Sequence, residues 1–291
     1  MFTGSIVALI TPMTAGMEVD WTALERLIGW HLEEGTDGIV PVGTTGESAT
    51  LNIEEHLEVI RRTVSVVSGR VPVIAGTGAN ATAEAIHLTR EAQKIGVDAS
   101  LSVTPYYNRP TQEGLYRHYA AIAEAVDLPI VLYNVPPRTG RDMTADTVAR
   151  LAEIGNIVGI KEACGDPERV AEIRGLVAED FFVLSGEDGQ TLRMFELGAV
   201  GCISVTANVL PRRMAEFCRA WREGDVDLAR AIDSELQPIH EILFVEPSPQ
   251  PTKWALYEMG MVDRGIRLPM LELSEENRPE LIRRLKAVGA L

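Results

Sequence analysis

The chain has little cysteine, little aromatic character and no long apolar run. Three cysteines in 291 residues, Cys164, Cys202 and Cys218, are too few and too odd in number for a disulfide framework, and no CxxC pair offers zinc spacing. A reducing cytoplasm is the expected setting. The apolar stretch Ile6 to Ile10 is too short to span a bilayer and lacks the basic flank and small-residue cleavage site of a signal peptide. It reads as a first strand. The sequon Asn80-Ala81-Thr82 would matter only in a secreted chain, and nothing suggests secretion.

Basic residues are also scarce. Lys and Arg number 27 against 42 Asp and Glu, a net charge of -15. Such a field repels phosphate backbones and anionic lipid, so neither nucleic acid nor a membrane surface is an expected partner. An anionic substrate would need locally placed cations, for which Lys161 and Arg138 are the candidates. Nucleotide motifs are missing too: Gly76-Thr77-Gly78 lacks the third glycine of a dinucleotide fingerprint, and no Walker A sequence occurs. The five histidines, His31, His56, His87, His118 and His240, show no HExxH spacing and are expected to be solvated helix residues. No metal and no other cofactor is expected.

What is present is an ordinary globular composition, 46% apolar and 24% charged. Short β-rich apolar runs recur, each followed by a segment of helical periodicity, which is the βαβ signature. Eight strands are expected: Ser5 to Ile10, Gly38 to Val42, Val71 to Ala75, Ala99 to Val103, Ile130 to Asn134, Ile157 to Lys161, Phe182 to Ser185 and Gly201 to Ser204. Their near-continuous apolar character suits parallel strands buried on both faces. Asp20 is placed to cap one helix, Asn52 with Glu55 resembles a capping box, and Asn80 and Asp166 mark two further helix entries.

Eight such units without a linker favour an α/β fold of the (β/α)8 type, a TIM barrel, over residues 1–224; a doubly wound sheet is the alternative. From 225 to 291 the pattern is purely helical, with helices expected at Val226 to Leu243, Thr252 to Met259 and Pro279 to Val288. This C-terminal helical appendage should pack on the outside of the barrel or against another subunit.

A barrel carries its active site at the C-terminal ends of its strands. Those ends supply Gly43-Thr44-Thr45-Gly46-Glu47, then Thr104-Pro105-Tyr106-Tyr107, then Tyr133-Asn134-Val135-Pro136 with Arg138, and then Lys161-Glu162. Lys161 closes an apolar strand, where burial disfavours a charged amine and a neutral one can attack a carbonyl to form an imine. Alone, a strand-end lysine more often snorkels to solvent. Tyr133, ending the neighbouring strand, could shuttle protons, although such a tyrosine is more often a core residue with a wet tip. Thr44 and Thr45 offer hydroxyls and loop amides able to hold a carboxylate without a metal, but Gly-Thr-Thr-Gly alone is usually a turn. Arg138 follows two prolines that stiffen its loop for carboxylate capture, against the alternative of a surface salt bridge.

These residues carry a family resemblance. The runs Gly43-Thr44-Thr45-Gly46-Glu47-Ser48, Ala75-Gly76-Thr77-Gly78-Ala79-Asn80, Val103-Thr104-Pro105-Tyr106-Tyr107-Asn108, Leu132 to Gly140, Gly159-Ile160-Lys161-Glu162-Ala163 and Ile203 to Asn208 resemble the dihydrodipicolinate synthase family. The likeness spans essentially the whole chain.

The resemblance implies a Schiff-base lyase in which Lys161 forms an imine with pyruvate and Tyr133, Thr45 and Tyr107 relay protons. Thr44 and Thr45 would hold the pyruvate carboxylate, Arg138 would receive that of L-aspartate 4-semialdehyde, and Gly186 and Ile203 would complete the pocket. The reaction would belong to the diaminopimelate route to lysine. It further implies a homotetramer, a dimer of dimers, in which Tyr107 serves a neighbouring subunit.

A lysine-inhibition site is implied at Ser48, Ala49, His56, Asn80, Glu84 and Tyr106, with Ile53 departing from the histidine of lysine-sensitive relatives. A second departure is Ser248-Pro249-Gln250-Pro251-Thr252, which lies in the appendage and is expected not to touch the chemistry. Two other readings stay open on the residues alone: another pyruvate-dependent aldolase such as N-acetylneuraminate lyase, and a non-catalytic 2-oxo acid sensor.

Overall fold

A computed structural model describes all residues from Met1 to Leu291. Eight parallel strands, β1 (Gly4–Ala8), β2 (Gly38–Val40), β3 (Ile74–Gly76), β4 (Ala99–Val103), β5 (Ile130–Asn134), β6 (Ile157–Glu162), β7 (Phe182–Ser185) and β8 (Gly201–Ser204), pair in the order β2-β1-β8-β7-β6-β5-β4-β3. A parallel bridge between Ile39 and Val73 joins the two ends of that order. The fold is therefore the expected (β/α)8 barrel. The doubly wound alternative is ruled out, since an open sheet leaves its two edge strands unpaired.

The alternation of side chains along each strand sorts the core into two layers. Ile6, Val40, Ile74, Leu101, Val131 and Leu184 belong to one small cluster with Tyr133 and Phe182, filling the barrel. Their sequence neighbours Val7, Ile39, Leu132, Ile160 and Val183 belong to the large cluster between strands and helices. Most strands are thus apolar on both faces, which is why their runs look continuous in sequence, whereas β4 turns the buried Ser100 and Ser102 away from the barrel interior.

Local chemistry sets the helix ends. The Asp20 side chain accepts from the Ala23 amide at 2.9 Å. Asn52 and Glu55 form a full capping box, the Asn52 Oδ1 accepting from Glu55 N at 2.8 Å and the Glu55 Oε2 accepting from Asn52 N at 3.1 Å.

After β8 the chain is helical, with helices at Val226–Ile242, Gln250–Glu258 and Arg278–Ala287 around their own cluster of Ile239, Leu243, Leu273, Leu281 and Leu285. No helix is long and apolar enough to cross a membrane.

Strand bounds and histidine burial need correction. β1 ends at Ala8 rather than Ile10, and β3 spans Ile74–Gly76 rather than Val71 to Ala75. β2 ends at Val40 rather than Val42, because Val42 has φ 48°, a left-handed conformation that no strand residue adopts and that is rare for a β-branched side chain. And four of the five histidines are core residues rather than solvated ones: His31, His56, His118 and His240 are buried, leaving only His87 exposed. Each of the four has a ring nitrogen against a polar partner, Thr36 Oγ1, Gly76 O, Thr82 Oγ1 and Thr206 Oγ1 respectively. Burial lowers the pKa of His31 to about 3 and of His118 to about 4, so both stay neutral in the core.

Candidate active site

Period-two geometry turns Tyr133 and Lys161 to the inside of the barrel while Leu132 and Ile160 face the helices. The two are direct register partners on β5 and β6, as Val103 and Tyr133 are on β4 and β5. Lys161 is 6% exposed, and its Nζ lies 4.3 Å from the centroid of the Tyr133 ring, over the ring face. That contact holds the nitrogen above the ring face at the barrel mouth.

Gly186, just past β7, stands directly against the lysine stem. A Cβ there would come within 2.8 Å of Lys161 Cε, and also of Ala163 Cβ, so no larger residue fits without moving the amine. Its amide donates to Glu162 O at 2.8 Å. Glu187, next in the chain, has its carboxyl pKa raised by burial, against the opposing pull of the Lys161 and Arg138 charges. Ile203 on β8 is buried in the same interior cluster as Tyr133.

The loop after β2 supplies the two threonines. Thr45 is buried and Thr44 half-buried. The loop turns through Val42 at φ 48° and Glu47 at φ 56°, and its approach to β3 demands glycine at 76, where a Cβ would stand 2.3 Å from Val42 O. Thr44 lines a cavity of about 270 Å³ together with Val103, Val135, Arg138 and Thr139. The same cavity is lined by Ser48, Ala49, Ile53, His56, Glu84 and Tyr106. Asn80 does not line it, although its carbonyl accepts from Asn108 Nδ2 at 2.7 Å. The cavity stops short of Lys161, so it adjoins the barrel mouth without containing it.

Tyr107 is not in the mouth of its own chain. It is 91% exposed, with φ 71°, a strained backbone that presents an aromatic ring to the outside.

Three features escaped the sequence reading. Arg138 reaches the appendage: its Nη2 donates to Ser248 O over a long 3.4 Å, so the Ser248 to Thr252 segment does meet a site residue, contrary to expectation. Behind Lys161, Glu162 is fully buried, with its pKa raised to about 7 by burial and its oxygens accepting from Asn134 Nδ2 at 3.1 and 3.2 Å. Finally, Glu47 forms a buried ion pair with Lys253 of the appendage. Its sequence signal was only a glutamate in a turn and a lysine in an amphipathic helix, 206 positions apart.

Comparisons with known proteins find relatives along the whole chain. The sequence profile of the Dihydrodipicolinate synthetase family matches residues 1–288. The chain is 56% identical over 291 residues to the 4-hydroxy-tetrahydrodipicolinate synthase of Alcanivorax borkumensis, covering 100% of this chain and 99% of that protein. Among solved structures it superposes on the chloride-inhibited dihydrodipicolinate synthase of Acinetobacter baumannii complexed with pyruvate, with a TM-score of 0.98, 52% identity and 100% of both chains covered. It also matches the Cyanidioschyzon merolae enzyme with lysine bound, with a TM-score of 0.96, 40% identity and coverage of 100% and 99%.

Proposed function

The chain belongs to the dihydrodipicolinate synthetase family, and on that premise we propose how its barrel mouth performs the family's lyase reaction, 4-hydroxy-tetrahydrodipicolinate synthesis. The carrying observation is the buried Lys161 amine held over Tyr133 at the C-terminal end of the barrel. The Lys161 nitrogen attacks C2 of pyruvate, and loss of one water gives the imine. Loss of a C3 proton turns the imine into an enamine, whose C3 forms a carbon–carbon bond to the aldehyde of L-aspartate 4-semialdehyde. The amine of the bound semialdehyde then displaces Lys161 by transimination, which closes the ring and restores the free lysine.

Tyr133, Thr45 and Tyr107 carry protons through these steps, while Thr44 and Thr45 hold the pyruvate carboxylate. Arg138, exposed on its Pro136–Thr139 turn, receives the carboxylate of the semialdehyde, with Gly186 and Ile203 walling the pocket. The neuraminate-lyase and sensor readings have no observation in their favour.

Two further elements belong to the proposal. Tyr107 points out of its own chain, which fits a homotetramer in which the ring completes a neighbour's relay. The cavity at Ser48, Ala49, His56, Glu84 and Tyr106 suits L-lysine as an inhibitor, with the Glu84 carboxylate for its ammonium and Asn80 at its edge. The Tyr106 hydroxyl pKa is raised by burial and by Glu84, so the phenol stays protonated as a hydrogen-bond donor. Ile53 replaces a polar partner with an apolar wall, so inhibition should be weak to moderate, and an unchanged rate at millimolar lysine would remove the effector role. The three free cysteines support a reducing, cytoplasmic setting; Cys202 and Cys218 remain unbonded with their sulfurs 3.7 Å apart.

The deciding experiment is borohydride reduction in the presence of pyruvate, followed by mass spectrometry. A single pyruvyl adduct at Lys161, absent from Lys161→Ala, is the expected result. An unmodified protein would sink the imine mechanism.

A further inference from the structure

We propose that the buried Lys253–Glu47 pair is a latch by which the C-terminal helix Gln250–Glu258 sets the position of the Thr44–Thr45 loop that receives the pyruvate carboxylate. This inference rests on the catalytic reading above and deepens it: Lys253 and Glu47 are positioning residues that act through the two threonines.

The loop is strained, with Val42 and Glu47 both in the left-handed region. Such backbone persists only where its surroundings over-determine it. On the barrel side, Thr11 Oγ1 donates to Gly46 O at 2.7 Å. On the other side both oxygens of Glu47 are engaged by the appendage: Oε1 by Lys253 Nζ and Oε2 by the Arg267 amide at 3.2 Å. Lys253 in turn donates to Gly265 O at 2.7 Å. Arg267 extends the tie down the loop, donating to Thr50 O at 2.9 Å and to both oxygens of Glu55 at 2.6 Å.

The side chains of Lys253 and Glu47 are 4% and 2% exposed, so water scarcely screens the pair. Buried ion pairs are poor sources of net stability compared with apolar replacements of similar volume. A charge-assisted pair with every acceptor assigned does fix direction and distance. The same segment reaches the other substrate loop, since Ser248 O accepts from Arg138. One helix and its flank thus touch both loops assigned to the two carboxylates.

The test is Lys253→Met, which keeps the stem and removes the charge. The pyruvate KM should rise about tenfold or more, kcat at saturating pyruvate should fall less than about threefold, and borohydride at saturation should still label Lys161 fully. A purely structural role would reduce the folded fraction, lowering kcat with KM unmoved. Lys253→Arg, which keeps the charge, should return KM to within about threefold of wild type.

A folded Lys253→Met protein with wild-type pyruvate KM overturns the latch. If that variant does not fold, Arg267→Ala takes its place by removing the Thr50 and Glu55 ties: a KM rise of about threefold or more supports the latch, and an unmoved KM overturns it. Failure of the catalytic reading is separately visible, because the wild-type protein would then give no pyruvyl adduct.

Discussion

Lys161 and Lys253 are both buried, at 6% and 3% exposure, but the interiors around them differ. Lys253 meets the Glu47 carboxylate and the Gly265 carbonyl, whereas Lys161 lies over an aromatic ring with a glycine against its stem. Burial lowers the Lys253 pKa and the Glu47 charge opposes that fall. Lys253 cannot lose its proton without leaving a buried carboxylate uncompensated, so its ammonium is a fixture. Lys161 faces an aromatic ring instead, which leaves its nitrogen open to a carbonyl carbon. Two lysines of similar burial thus take opposite roles according to what faces the nitrogen.

Replacing each by methionine tests the contrast most directly, with urea unfolding as the measurement. Lys253→Met should lose about 3–5 kcal/mol, the cost of stranding Glu47. Lys161→Met should be as stable as wild type or gain up to about 2 kcal/mol while losing all imine formation, as active-site groups often do. Equal losses at both sites would erase the distinction.

A smaller effect is expected on the chemistry of the free lysine. Tyr133→Phe keeps the ring beneath Nζ and removes only the hydroxyl, so kcat should drop about 100-fold or more with the trapped imine still detectable but slow to form. A rate within a factor of two of wild type would take Tyr133 out of the relay.

Gly186→Ala sharpens the comparison from the packing side. Its methyl must displace Cε of Lys161, and a shift near 1 Å should lower kcat/KM by about 10- to 100-fold. Stability should fall as well, because the methyl also meets Ala163 Cβ at 2.8 Å and Glu162 O at 3.1 Å, atoms that move only with the β6 backbone.

A pH-dependent effect concerns Glu162, beside Lys161 on the opposite face of β6. Its folded pKa of about 7 lies well above the usual carboxylate range because of burial. The unfolded chain therefore releases this proton first as pH rises. Stability from this group is full below the unfolded pKa and is lost progressively up to about pH 7. Glu162→Gln should thus gain in urea midpoint relative to wild type between pH 5 and pH 8, and a constant difference across that range would contradict the buried-acid account.

Much of the fold is legible in the chain. Strands β4, β5, β7 and β8 fall on the expected residues, because short buried runs between helical segments mark parallel strands even where serines interrupt them, as in β4. Asp20 and the Asn52–Glu55 box cap the helices they announce, since capping is a contact between residues three apart. The lapses are equally physical. Val42 looks like strand because it is β-branched, yet the chain turns there. His31, His56, His118 and His240 look solvent-facing on helical segments, and only packing supplies the partners and the burial that make them core.

Sequence by itself determined the alternation of strands and helices, the residues at the strand ends and the family, because each depends on local periodicity or on contiguous motifs. Tertiary structure alone decided that Glu47 would find Lys253, that Arg138 would reach Ser248 and that Gly186 would stand against Lys161. Those outcomes depend on how eight units close into a ring and where the last helices settle on it, and no spacing within the chain encodes that distance.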